Sequence, residues 1–182
     1  EAQHVSSFLM ERYLDAADKA LGLAIANTPQ PPVVKKRLNL QDTHVVKLST
    51  ESVYRRRGDA LVLFSSSPWN AVTVSQFYPP DRGYYRFRIA ATATQSDDQP
   101  VTYRVEAGPM LMGTKNHLIG YFDAPPAAKD KEDKNALVEF VDHLEARSTI
   151  RIQPFGLATA HIVNKIGADK YEGAGLEVQW VE

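Results

Sequence analysis

The chain contains no cysteine. This absence excludes disulfides, thiolate metal sites, cysteine nucleophiles and c-type haem attachment within these residues, but it leaves the cellular compartment open. No apolar run reaches the roughly 20 residues that a membrane-spanning helix needs. Positive charge is not in excess either, since the chain has 21 lysines and arginines and 22 aspartates and glutamates. The overall charge therefore disfavours nucleic acid as a partner, and we expect no membrane span.

The spacings typical of common catalytic and metal sites are also missing. None of the five histidines has HExxH or i,i+4 spacing, so a zinc site is poorly supported. The chain has no Gly-x-Ser-x-Gly nucleophile motif and no glycine-rich phosphate loop. We therefore expect no enzyme activity, although a hydrolase working with two carboxylates is unsupported by spacing rather than ruled out.

What is present is the composition of an ordinary globular protein. The chain has 182 residues, of which 43% are hydrophobic and 24% are charged. This is enough for one domain with its own core and an N-terminal appendage. The sequence starts at Glu1 without methionine and without the charged-then-apolar start of a signal peptide, so we expect a segment of a longer polypeptide.

The first segment predicts a helix from about Ser6 to Ala26. Its apolar residues recur at spacings of three and four, Ser6 or Ser7 can cap the start, and prolines from Pro29 onward end it. We expect residues 1–32 to form a helix and a proline-rich linker packed on the domain that follows.

The stretch Ala71–Ala93 predicts two paired strands. Apolar and polar residues alternate up to the turn Tyr78–Gly83, and the alternation then resumes. Beyond the turn, one face is apolar and the other carries Arg86 and Arg88. We interpret this stretch as a hairpin in the middle of an antiparallel sheet.

Other runs of strand length follow at turn-bounded intervals. The predicted strands are 33–38, 44–48, 60–64, 101–106, 117–122, 137–144, 149–153, 158–163 and 176–181. Arg55–Asp59 and Gln95–Gln99 are predicted turns, and the run KDKEDKN at Lys129–Asn135 is a predicted solvated loop. Trp180 alternates with Leu176 and Val178 and is therefore expected in the core. This pattern predicts an all-β sandwich over residues 33–182.

The order of these pieces resembles the jelly-roll carbohydrate-binding modules of the galactose-binding-like superfamily. The resemblance is carried by Val72-Thr73-Val74, Pro79-Pro80, Gly83 with Tyr84 or Tyr85, and Arg88-Ile89-Ala90. It covers about residues 33–182 and implies an all-β fold, a β-sandwich of the jelly-roll, galactose-binding-like type. With the helix predicted from periodicity, we expect this sandwich to carry one N-terminal α-helix.

Nearly the whole chain also resembles a segment of large planctomycete multidomain proteins that combine cytochrome-c-like domains with domains of unknown function. The stretches that carry this likeness are FLMERYLDAADKAL, SSSPWNAVTVSQFYPPDRG, AGPMLMGTKNHLIGYF and IGADKYEGAGLEVQWVE. The resemblance implies an extracytoplasmic location, periplasmic or secreted, as part of a larger protein whose haem lies in another domain. It implies no activity for this segment.

In such carbohydrate-binding modules, aromatic rings on loops at one end of the sandwich stack on sugars, and amide, acidic and lysine side chains bind the hydroxyls. The matching ligand-binding candidates are Trp69, Asn70, Asp169, Lys170 and Tyr171. The alternative for each ring is that it covers the edge of the core.

Many of these modules also hold a structural calcium, bound by acidic residues of the first and last strands. Residues 37–42 lack the paired glutamates of that pattern, so calcium is a weak prediction with Glu177 as its one candidate ligand. We expect no other cofactor in this segment. The arginines at 55–57, 86 and 88 attract an anionic polysaccharide on one interpretation and belong to a charge-paired surface on the other.

These observations predict a non-catalytic carbohydrate-binding module that tethers a larger exported protein to a polysaccharide or oligosaccharide. The alternative is a structural or protein-interaction sandwich that docks neighbouring domains of the same chain without a ligand. Exposed rings at Trp69 and Tyr171 favour the first hypothesis, and buried rings favour the second.

Overall fold

The computed structural model describes residues 6–25, 33–49, 52–111, 114–127 and 136–182. The prolines predicted to end the first helix and the predicted charged loop at 129–135 lie outside these residues. The chain divides into two compact units, Glu1–Val34 and Lys35–Glu182, and each is described by itself.

The first unit contains the predicted helix, α1, which spans Ser7–Ala24. Ser6 caps it, since its side-chain oxygen accepts a hydrogen bond of 3.3 Å from the backbone N–H of Leu9. At the other end, the N–H of Ile25 donates to the carbonyl of Leu21. None of the side chains of α1 is buried.

The second unit is mostly β and consists of two antiparallel sheets, as the prediction of a β-sandwich requires. Its strands are β1 Tyr54–Arg57, β2 Ala60–Leu63, β3 Val72–Thr73, β4 Gly83–Thr94, β5 Val101–Gly108, β6 His117–Ala124, β7 Ala136–Leu144, β8 Thr149–Pro154 and β9 Gly175–Val181. The five-stranded sheet has the order β1-β2-β9-β4-β7, and the four-stranded sheet has the order β3-β8-β5-β6. Two short helices, α2 His44–Leu48 and α3 Ala160–Ile166, complete the described elements together with 3-10 turns at Leu40–Asp42 and Pro68–Asn70.

The core lies where alternating side chains of both sheets point inward. Strand β4 contributes Phe87 and Ile89, and β5 contributes Tyr103 and Val105, all of them buried. The predicted alternation of these strands is therefore confirmed. Burying an aliphatic or aromatic side chain of this size contributes about 1.5–3 kcal/mol, so these alternating rows dominate the stability of the unit.

The predicted hairpin at Ala71–Ala93 is wrong. Strand β3 pairs with β8 in the four-stranded sheet, whereas β4 pairs with β7 and β9 in the five-stranded sheet. The segment 74–82 therefore connects the two sheets rather than turning within one. The second predicted strand is β4, whereas only Val72–Thr73 of the first is a strand. Alternation identifies a strand without identifying its partner.

Four shorter predictions are also corrected. The apolar run at 44–48 is helix α2, and the run at 158–163 is helix α3 from Ala160 onward, with only an isolated bridge at Ala158. The two helices bury Val46 and Val163. Of the predicted strand 33–38, only Leu38 pairs, through a bridge to Val181. Short apolar runs do not distinguish a strand from a turn of helix, so packing decided between them. The predicted turn Arg55–Asp59 is mostly strand β1, with the turn confined to Gly58 and Asp59.

Trp180 is also not a core residue. The register of β9 against β4 shifts, so that Trp180 lies opposite Ala90 while Val178 lies opposite Ala91. The extra residue between them, Gln179, forms a bulge that reverses which face each following side chain takes. Trp180 is therefore half-buried on the outer face, where the guanidinium of Arg37 stands 4.1 Å from its ring centroid.

Candidate binding surface

The two loops that carry the predicted site residues leave the same end of the five-stranded sheet. Strand β2 ends at Leu63 and β9 begins at Gly175, and Leu63 pairs with Leu176. Because the two strands are antiparallel, the loop after β2 and the loop before β9 emerge side by side from one end. Strand β4 also ends here, since Thr94 pairs with Gly175.

Trp69 lies in the 3-10 turn Pro68–Asn70 and is 89% exposed. Its neighbour Asn70 is only 4% exposed. The Asn70 side-chain oxygen accepts a hydrogen bond of 3.1 Å from the hydroxyl of Ser65, and its backbone carbonyl accepts one of 3.0 Å from the hydroxyl of Tyr54. Asn70 therefore fixes the turn from inside while Trp69 faces solvent.

A second set of hydrogen bonds holds the same loop at Ser66. Its N–H donates to the carbonyl of Ala158 at 3.0 Å, and its hydroxyl accepts from the N–H of Leu157 at 2.6 Å. Its carbonyl accepts from the side-chain amide of Gln153 at 2.7 Å. The indole of Trp69 is thus presented by a backbone that is tied on both sides.

In the loop before β9, the aromatic residue is packed against the protein rather than exposed. Tyr171 is half-buried and meets Phe64 edge-on, with 5.3 Å between ring centroids. Its carbonyl accepts a hydrogen bond of 2.6 Å from Arg55. Asp169 and Lys170, on the turn beside it, are exposed. Tyr171 therefore contributes to packing, while the two charged side chains face solvent at the same end of the sheet.

An aromatic pair that sequence reasoning missed lies on the outer face of the four-stranded sheet. Tyr121 is 52% exposed and Phe155 is 59% exposed, and their ring centroids are 5.9 Å apart. Phe155 is fixed by a hydrogen bond from its N–H to the carbonyl of Thr102, near the start of β5. Tyr121 was detectable, since it alternates with the inward-facing Phe122, but no periodicity marks Phe155.

A polar row joins this aromatic pair to the loop of Trp69. Arg104 lies opposite Tyr121 in the β5–β6 register, and its guanidinium donates to the side-chain oxygen of Gln153 at 3.0 and 2.7 Å. The amide of Gln153 in turn reaches the carbonyl of Ser66. Glu106 lies 3.3 Å from the Arg104 guanidinium and also pairs with Arg151, so these two guanidinium groups share one carboxylate. We call Trp69, Tyr121, Phe155 and Arg104 the aromatic surface.

Beside the aromatic surface, Thr102 donates a hydrogen bond of 2.6 Å to the exposed carboxylate of Asp123. Tyr103 lies on the inner side of the same sheet. Its burial raises its pKa well above the ordinary value, and the charge of Asp123 adds a smaller increase. Tyr103 is therefore neutral at physiological pH. The charges available to a ligand here are those of Asp123 and Arg104.

Of the five arginines considered for anionic ligands, three are paired with acids, whereas Arg55 donates to backbone carbonyls and Arg56 is exposed. Arg57 lies 3.0 Å from Glu177, and Arg88 lies 3.0 Å from Glu182. Arg86 is 3.7 Å from Glu139. These pairs favour the interpretation of a charge-paired sheet face.

The described residues do not fit a calcium site. The Glu177 carboxylate is engaged by Arg57, and within the described part of the chain no three His, Asp or Glu side chains converge in a way that would hold a metal ion. The calcium prediction thus receives no support at Glu177.

No family model, curated protein or solved structure matches the chain. Among the helices that the structure describes, none combines the length and the apolar character needed to cross a membrane.

Proposed function

We propose that the sandwich is a non-catalytic carbohydrate-binding module that holds a polysaccharide or oligosaccharide on the aromatic surface. The observation that carries this proposal is Trp69, a large ring that is 89% exposed on a loop fixed by hydrogen bonds. An exposed indole adds little to the stability of the fold. Its position is instead suited to contact with a ligand.

The chemistry of sugars fits such a surface. One face of a pyranose ring is lined by C–H groups that pack on an aromatic ring, while its hydroxyls need hydrogen-bond partners. Trp69 with the pair Tyr121 and Phe155 supplies rings, and Asp123 and Arg104 supply polar groups. Because the loop is already ordered, binding incurs little additional entropy cost.

The charges favour a neutral sugar. Arg104 and Arg151 share the carboxylate of Glu106, and Asp123 adds a second negative charge on the same sheet. In the five-stranded sheet, Arg57, Arg86 and Arg88 are paired with acidic residues. An acidic polysaccharide would have to displace these pairs. Asp169 and Lys170 extend the site at the same end of the sandwich, and Asn70 acts by positioning Trp69.

This proposal includes the jelly-roll, galactose-binding-like type of sandwich and an extracytoplasmic setting, both of which rest on the sequence resemblance. There, the module would tether a larger multidomain protein to a polysaccharide. Its partners would be the sugar and the neighbouring domains of the same chain.

The test is affinity electrophoresis through neutral and acidic polysaccharides, backed by a glycan array. Trp69→Ala is compared with the matched control Tyr84→Ala. Tyr84 is another aromatic residue with 80% exposure, but it lies near the start of β4, at the opposite end of the five-stranded sheet from the loop of Trp69. We expect Trp69→Ala to weaken binding by about tenfold or more, the equivalent of roughly 1.4 kcal/mol, and Tyr84→Ala to leave it unchanged.

Two results would contradict the proposal. If no polysaccharide retards the wild-type protein, the alternative of a structural or protein-interaction domain is favoured. If both alanine variants bind as the wild type does, sugar binding does not use the aromatic surface.

A further inference from the structure

Helix α1 is divided lengthwise into an apolar and a charged side. At 3.6 residues per turn, each residue is rotated by about 100° from the previous one. When the residues from Phe8 to Ile25 are projected in this way, one continuous arc of about 200° contains only apolar residues. Its members are Leu9, Met10, Tyr13, Leu14, Ala16, Ala17, Ala20, Leu21, Leu23, Ala24 and Ile25.

Within the described residues of the first unit, this apolar arc has no partner. No side chain of α1 is buried, and Tyr13, Leu14 and Leu21 are among its exposed large residues. An isolated helix of this length is marginal in water, and in proteins most helical stability comes from packing of the apolar face. The arc therefore needs a covering surface.

The charges on the polar side of α1 are distributed unevenly, and this distribution indicates the partner. Glu11 and Asp18 border one edge of the apolar arc, whereas Arg12 and Lys19 border the other edge. Asp15 lies in the middle of the charged side. Within the described residues of the first unit, none of these five side chains forms an ion pair, and the Arg12 guanidinium lies 5.2 Å from the ring centroid of the exposed Phe8. Both edges can therefore pair with another molecule.

This arrangement is complementary to itself in one orientation only. When two copies of a helix pack side by side in parallel, the left edge of one meets the right edge of the other, so acids meet bases. When they pack antiparallel, like edges meet, so acids face acids and bases face bases. We infer that α1 assembles with parallel α1 helices from other copies of this chain, with Glu11 and Asp18 of each helix beside Arg12 and Lys19 of its neighbour.

The width of the arc indicates more than two copies. A two-stranded coiled coil buries a narrow a/d stripe, here Met10, Tyr13, Ala17, Ala20 and Ala24. In this helix, the flanking Leu9, Leu14 and Leu21 are apolar as well. A parallel bundle of three or more helices covers such a face, and its cyclic symmetry presents an acidic edge to a basic edge at every interface.

A membrane surface fits the helix less well. Helices that lie on anionic membranes are typically rich in lysine and arginine on the polar side. Here, the polar side has Glu11, Asp15 and Asp18 against Arg12 and Lys19. The inference is independent of the proposed sugar site, although a bundle would bring several such sites together and increase avidity for a polymer.

The first test is the mass of the 182-residue chain in solution, by sedimentation equilibrium and light scattering over a range of concentrations. We expect an assembly of three or more copies. Ala17→Glu, which places a charge in the centre of the apolar arc, should give a monomer. Gly22→Glu is the matched control: it adds the same charge on the polar side, where an added Cβ meets open space, so the assembly should persist.

Charge reversal then tests the orientation. Converting Glu11 and Asp18 to lysine, or Arg12 and Lys19 to glutamate, should each weaken assembly at least tenfold, and combining all four changes should restore it. Circular dichroism and denaturation of the sandwich check folding, and binding of a short oligosaccharide per chain should be the same in monomeric and assembled forms.

A wild-type monomer at all concentrations would overturn the inference, and so would a monomer that sediments with anionic vesicles. Failure of the fourfold reversal to restore assembly would overturn the parallel orientation. None of these outcomes depends on whether the aromatic surface binds sugar.

Discussion

The loop 65–70 and the loop 168–174 lie at the same end of the sheet and both carry an aromatic residue, but they use it differently. The first is held by side-chain hydrogen bonds of Ser65, Ser66 and Asn70, and its Trp69 faces solvent. The second is held by Arg55 and by the contact of Tyr171 with Phe64. The polar side chains of the first loop hold its backbone and leave the ring of Trp69 free for a ligand. The second loop is held through its backbone by Arg55, and its ring packs on Phe64.

Tyr171 packs on a small hydrophobic core on the outer side of the five-stranded sheet. This second cluster contains the buried residues Val53, Val62, Phe64, Val163 and Ala168, with Tyr171 packed against it. Substitutions in the loop 168–174 and its supports should therefore lower stability, whereas substitution of Trp69 should lower binding alone.

The largest effect is expected at Phe64, which is fully buried beneath Tyr171 and the Arg55 guanidinium. Phe64→Ala should lower the free energy of unfolding by about 3–5 kcal/mol, because it leaves a cavity in the second cluster. Urea denaturation measures the loss. Trp69→Ala should change stability by less than about 0.5 kcal/mol, and equal losses in the two variants would remove the distinction between the loops.

The next effect is expected at Arg55. Its guanidinium donates hydrogen bonds to the carbonyls of Ala168 and Tyr171. Arg55→Met should cost about 1.5–3 kcal/mol of stability, because it removes the charge-assisted bonds to both carbonyls. Its exposed neighbour Arg56 is the control, and Arg56→Met should be nearly neutral in the same denaturation experiment. A neutral Arg55→Met would show that the ring contact alone holds the loop.

A smaller effect, on both stability and binding, is expected at Asn70. Asn70→Ala should cost about 1–2 kcal/mol, since the Ser65 hydroxyl loses its acceptor. Sugar binding should weaken several-fold although Trp69 is retained, because the ring is no longer held in place. Ser67→Ala is the control in the same loop, and calorimetry with a bound oligosaccharide separates the two effects. Unchanged binding would mean that the loop need not be rigid.

The smallest effect is expected at the hydroxyl of Tyr171. Tyr171 contacts Phe64 through its ring and Arg55 through its backbone carbonyl. Tyr171→Phe keeps both contacts and should therefore change stability by less than about 0.5 kcal/mol. The same substitution tests the role predicted for Tyr171 in binding. A clear loss of affinity with unchanged stability would show that the hydroxyl contacts the sugar, and the contrast between the two loops would then be one of degree.

The sequence predicted much of the secondary structure and one end of the candidate site. Loops bearing Trp69 and Tyr171 were expected together, and strand order brings them to the same end of the sheet. Phe155 could not have been found, because it follows Pro154 outside any alternating run and meets Tyr121 only through the pairing of β5 with β6 and β8. The burial of Asn70 depends likewise on Ser65 and Tyr54.

What the sequence alone determined is local: the helix α1, its self-complementary charged edges, and the alternating faces of β4 and β5. These follow from backbone geometry, which repeats every 3.6 residues in a helix and every two in a strand. Pairing required the tertiary structure, since β3 and β4 entered different sheets and a bulge at Gln179 turned Trp180 outward. Such outcomes depend on contacts between distant segments, and the period of a single segment carries no information about them.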